Sequence, residues 1–86
     1  DSRKIVPVLN ALNTKIKGYR DNELSKILKD VDASQHSNIV AVTDKLVLKI
    51  TGQIANHLRN NSTKTESDIA AIQDIFKLEG LQQDND

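Results

Sequence analysis

The feature that most limits the fold is the stretch Asn38–Arg59. Its apolar residues recur with the period of an α-helix over about 22 positions. At 100° per residue, Val42, Ile39, Leu46, Ile50, Ile54, Val47, Val40 and Leu58 fall within an arc of about 160°. Asp44, Lys45, Lys49 and Arg59 lie outside it, and Leu48 points almost directly away. An arc this wide suits a helix that touches more than one neighbour. A rival pattern is present: Lys45-Leu46-Val47-Leu48-Lys49-Ile50-Thr51 alternates as a β-strand does and carries several β-branched residues. The helix is favoured because the charges obey the helical arc and Gly52 is the only breaker. No second strand pattern stands out to pair with it, although Asn38 to Val42 could attempt one.

Three further segments share the helical period. The first runs from about Ser2 or Pro7 to Lys17, with Ile5, Val8, Leu9, Leu12, Ile16 and Tyr19 on one side. Pro7 suits a first turn, Val6 before it tends to extended backbone, and Gly18 offers a left-handed stop. The second runs from about Asn22 to Val31, capped by Asp21 or Asn22, with Leu24, Ile27, Leu28 and Val31 sharing a face. A polar connector, Asp32–Ser37, leads into the long segment, with Ser37 or Asn38 as its cap. The last segment opens on Thr63-Lys64-Thr65-Glu66, a capping-box pattern, or on the looser Thr65–Asp68. Ile69, Ile72, Ile75, Phe76 and Leu78 line one side of it, and Gly80 followed by Leu81 reads as a Schellman-type end. The expected fold is therefore all-α, a compact bundle of about four amphipathic helices over residues 1–81, with a polar tail at 82–86.

Composition removes several chemistries. With no Cys there are no disulfides, thiolate metal sites or cysteine nucleophiles. No apolar run approaches the roughly 20 residues of a membrane span. Twelve basic residues balance twelve acidic ones, which argues against a general nucleic-acid binder. Residues 1–49 hold nine of those basic groups and six acidic ones. Lys15, Lys17 and Arg20 beside Tyr19 could touch phosphate, but a solvated helix end explains them as well. Nucleic-acid attachment is thus the weakest functional class. Asp30-Val31-Asp32-Ala33-Ser34 begins like a calcium loop, yet Gln35 and Ala41 stand where Gly and Glu are needed. His36 and His57 are the only histidines, and they lack metal-ligand spacing, so no metal is expected. Ser37 sits as the phosphopantetheine serine of carrier proteins does, but Asn38 follows it where an apolar residue belongs. No nucleophile, base and orienter come together, so neither an enzyme nor a cofactor is expected.

His57 lies near the middle of the long apolar arc. It reads either as a partly buried histidine bonded to a carbonyl or water, or as one polar handle in an apolar pocket. The second reading gives a non-enzymatic binding module for a small apolar ligand such as a lipid or fatty acid. Its candidate lining is Leu12, Ile16, Tyr19, Val42, Leu46, Ile50, Ile54 and His57. The alternative is a structural or oligomerisation domain that buries the same face against another protein, a homodimer included.

The chain begins with Asp1, as a processed or trimmed product does, and shows no targeting segment. Asn60 and Asn61 open two overlapping glycosylation sequons. The stretch from Val8 to Tyr19 pairs Leu/Ile with Asn/Thr before a Gly-Tyr turn, and Leu24–Leu28 and Ser67–Ile72 are similarly placed. In this it resembles fungal secreted hydrophobic-surface-binding proteins and the related cell-wall mannoprotein domains, over roughly Val8 to Phe76. The chain is richer in Lys and poorer in Ala and Thr than that family. The resemblance implies a secreted helical bundle presenting apolar surface to lipids, and with the sequons it leans to a secreted origin.

Overall fold

The structure, a computed structural model, describes residues 2–60 and 62–78. It is helical throughout, with no strand among the described residues. Among the described residues three α-helices, not four, make the architecture: α1 Ser2–Ile27, α2 His36–Asn60 and α3 Thr65–Phe76, joined by short 3-10 turns. Residues 45–51 are helical, so the strand reading is set aside.

The fourth helix is lost because the first two expected segments are one. Helix α1 passes through both Pro7 and Gly18. Pro7 removes the amide that would bond the carbonyl of Arg3. The burial of Ile5 and Val8 on either side offsets that loss. Gly18 costs about 1 kcal/mol relative to Ala in a helix, and contacts further along the chain outweigh it. Leu24 is half-buried. The Arg20 guanidinium donates to Val40 O, Thr43 Oγ1 and Asp44 Oδ1 of α2 at 3.3, 2.7 and 2.8 Å. Asp44, then Asp21, hold that guanidinium's pKa above its ordinary value, against the cost of burial.

The corner between α1 and α2 is built from local polar bonds. Leu28–Asp30 forms a 3-10 turn, and the Asp32 carboxylate caps the next one by accepting from the Ser34 amide and hydroxyl. His36 Nε2 lies 2.8 Å from Leu28 O and 2.9 Å from Val31 O. Both partners are acceptors, so this nitrogen carries the proton and donates. Helix α2 therefore starts at His36, ahead of the expected Ser37 or Asn38 cap.

Helix α3 crosses back over the hairpin. Its cap position is Lys64, not Thr63 or Thr65, and Lys64 makes no side-chain cap bond. Thr65 is buried, and its hydroxyl donates to Leu58 O at 3.0 Å. Lys4 Nζ reaches Glu66 Oε2 at 3.1 Å, which sets the start of α3 beside the start of α1. The helix ends earlier than expected. Lys77 adopts the left-handed conformation, φ 56°, and the Leu78 amide donates to Gln73 O at 2.9 Å. That is a Schellman-type closure with Leu78, not Leu81, as its apolar anchor. Gly80, Leu81 and the tail at 82–86 lie outside the described residues.

The core sits at one end. Ile5, Val8 and Leu12 of α1 pack with Leu58 of α2, Ile69 of α3 and Leu78. Helix α3 has 12 residues and α2 has 25. At 1.5 Å per residue these are about 18 Å and 37 Å long, so α3 covers only about half of the hairpin. The radius of gyration is 15.4 Å and the extents are 48 × 26 × 17 Å. A globular chain of this length would have a radius near 12 Å. Among the described residues, the far half of the hairpin is two helices thick.

Candidate functional site

The wide arc of α2 divides into two parts. Val47 and Leu58 are buried, and Val40 and Ile54 are half-buried, against α1 and α3. Val42, Leu46 and Ile50 form a second row at i, i+4 and i+8 and are 60, 54 and 51 % exposed. They lie on the side that α3 occupies further down. His57 falls between Leu46 and Ile50 in angle at 100° per residue, and its Nε2 is 2.8 Å from Asp68 Oδ2 of α3. Helix α3 thus lies along the same flank of α2 and ends near the level of Ile50, short of Leu46 and Val42.

Ile75 extends the row. It is seven residues beyond Asp68, and Ile50 is seven before His57; each step is about 10 Å along antiparallel helices. The two isoleucines therefore come level near the end of α3, and Ile75 is exposed too. On α1, Tyr19 shares the angular sector of Val8 and Leu12 yet is half exposed, because it sits beyond the turn that ends α3. An open groove of about 730 Å³ runs along α1 from Pro7 to Tyr19 and is closed at one edge by Lys77 and Leu78.

The eight residues expected to line a pocket do not converge on one. Leu12 is fully buried in the core, and Ile16 and Ile54 pack against that core. Tyr19, Val42, Leu46 and Ile50 face outward. Only Tyr19 of the eight lines the groove. His57 is exposed and hydrogen-bonded to Asp68, so it is no handle inside an apolar cavity. Asn60 is exposed at the end of α2, and Asn61 lies outside the described residues. Sequence reasoning missed Ile75, which it counted with the inward residues of the last helix. Its angle relative to Ile69 and Phe76 was the available signal.

An uncovered apolar row beside a half-length third helix suits association with another helical surface. Over residues 1–78 the chain matches the model of the glutamyl-tRNAGlu reductase dimerisation domain. The chain belongs to that family. It is 30 % identical over 83 residues to a glutamyl-tRNA reductase of Christiangramia forsetii, covering 96 % of this chain and 20 % of the relative. A glutamyl-tRNA reductase of Flavobacterium psychrophilum is 28 % identical over 78 residues, covering 91 % of this chain and 19 % of the relative. Glutamyl-tRNA reductase 2 of Flavobacterium johnsoniae is 24 % identical over 78 residues, with coverage of 91 % and 18 %. The chain spans about a fifth of the length of these relatives. No solved structure matches.

Membership of this family overturns several expectations. The resemblance to fungal secreted proteins rested on Leu/Ile and Asn/Thr spacing that many amphipathic helices share, and it is withdrawn. The lean to a secreted origin goes with it, because the relatives carry the name of a reductase that acts on a tRNA. The lipid or fatty-acid role gives way to dimerisation. The expectation of no enzymatic role is corrected as well: the relatives are enzymes by name, and the stretch matched is their dimerisation domain.

Proposed function

We propose that this chain is the dimerisation module of a glutamyl-tRNA reductase-type enzyme and that it joins two copies through the row Val42, Leu46 and Ile50, extended by Ile75 and Tyr19. The supporting observation is the half-covered hairpin. Helix α3 buries one half of the α1/α2 surface and leaves the equivalent apolar residues of the other half in water. Contiguous exposed apolar surface of this kind marks interaction sites. A second copy satisfies it without any further partner, as closed two-fold pairs commonly do. The reductase activity, and the tRNA substrate named for the relatives, belong in this reading to the remainder of a longer protein.

Sedimentation equilibrium tests the reading. The chain is expected at twice its 9.6 kDa. Leu46→Glu, at an exposed position, is expected to leave a folded monomer with an unchanged helical circular-dichroism spectrum. A wild-type chain that stays monomeric up to millimolar concentration overturns the proposal.

A further inference from the structure

Burial is divided unevenly along the hairpin. The buried apolar side chains of α1 are Ile5, Val8 and Leu12, and those of α2 are Val47, Ala55 and Leu58. All lie toward the end of the hairpin away from its corner. No residue from Lys17 to Leu46 is buried. Leu24, Leu28, Ile39 and Val40 are half-buried there, so this tip has an apolar seam but no core. Packing of an apolar face supplies most of a helix's stability in a folded protein, and the tip has little of it.

The fastening of the tip is polar. The Arg20 side chain is only 12 % exposed. Its Nη1 donates to Val40 O, Thr43 Oγ1 and Asp44 Oδ1, and its Nε donates to Asp21 Oδ1 at 2.6 Å. Among the described residues these Nη1 bonds are the only side-chain hydrogen bonds that join α1 to α2 within the tip. Beyond them the corner is closed by His36 on Leu28 O and Val31 O. Bonds from a guanidinium to carboxylates are stronger than neutral ones, and the planar fork lets one side chain hold Asp21 and Asp44 together. Helix α1 enters the tip at Gly18, a poor helix former.

We infer that the hairpin tip, residues 17–46, is a conformational unit of its own, which opens and recloses while the core half stays folded, and that Arg20 is the latch that holds it shut. Segments with few buried apolar contacts open at lower free energy than the core they adjoin. The inference concerns a single chain and does not rest on the proposed dimer.

Native-state hydrogen exchange across sub-denaturing urea tests it. In the wild type, amides of Asp21–Ile27 and Ile39–Asp44 are expected to exchange through an opening with a smaller urea dependence than amides beside Leu12 and Leu58. Arg20→Gln is expected to speed exchange in the tip by roughly tenfold and to leave the amides beside Leu12 and Leu58 unchanged. Thr43→Val removes one of the three α2 acceptors and is expected to speed the same tip amides by roughly threefold. All samples are matched in concentration, and sedimentation of each scores any change in association apart from opening. A single urea dependence shared by both halves of the wild type overturns the inference. Equal acceleration in both halves of either variant, or an Arg20→Gln chain that loses its helices throughout, overturns it as well. Tip exchange that neither variant accelerates removes Arg20 as the latch.

Discussion

His57 Nε2 and Asp68 Oδ2 are 2.8 Å apart, and this pair is the polar tie between α2 and α3 at the surface. His57 is 59 % exposed and Asp68 27 %. Exposed polar contacts of this kind contribute little, so His57→Ala is expected to cost no more than about 1 kcal/mol. Hydrogen exchange should speed up in α3 before it does in α1. Uniform acceleration over all three helices would mean that the pair does not hold α3 specifically.

Leu12 and Leu46 make the sharpest contrast among the leucines. Leu12 has no exposed surface, while Leu46 is more than half exposed. Leu12→Ala is expected to destabilise the folded chain by about 3 kcal/mol through lost burial and a residual cavity. Leu46→Ala in a dilute monomer should stay within about 0.5 kcal/mol of wild type. Urea denaturation at micromolar and millimolar concentration separates the effects: the Leu46 variant should lose stability only where wild type is dimeric.

Three backbone positions are locally suboptimal. A Cβ at Gly18 or Gly52 would meet nothing within 4 Å, and both residues are helical. Gly52→Ala and Gly18→Ala should each stabilise by about 0.5–1 kcal/mol. Lys77 is the reverse case, a side chain at φ 56° where glycine is favoured. Lys77→Gly should gain about 0.5–1 kcal/mol in thermal unfolding. A loss at Lys77 would mean that its side chain makes a contact outweighing the backbone strain.

Acid should loosen the hairpin corner. The Ser34 hydroxyl, followed by its amide, holds the Asp32 carboxyl below its ordinary value of 3.8. The carboxylate is favoured in the folded state, so its contribution is present above about pH 3.8 and fades as pH falls through the lower folded value. Asp32→Asn should therefore narrow the difference in melting temperature between pH 7 and pH 3. An unchanged difference would assign the acid sensitivity to other carboxylates.

The helical content could be read from the sequence because the apolar spacing around Val42–Leu58 repeats for several turns, long enough to outweigh the strand-like run at 45–51. The division of that arc into buried and open parts could not. It depends on where α3 ends, and α3 ends at Lys77, a residue with no local preference for a left-handed stop. Gly18, which has that preference, is overridden by the bonds from Arg20 to α2. The same spacing fits a pocket, a core and an interface equally, so the eight candidate residues mixed members of a core with members of an open face. Only their neighbours in space separate them.

The brevity of α3 also limits sliding. A helix seated beside Val42 and Leu46 would butt against the Lys77 turn at one end of its berth. In the proposed dimer, travel along the hairpin would be limited in that direction, and the length of α3 would set the axial offset between the two copies.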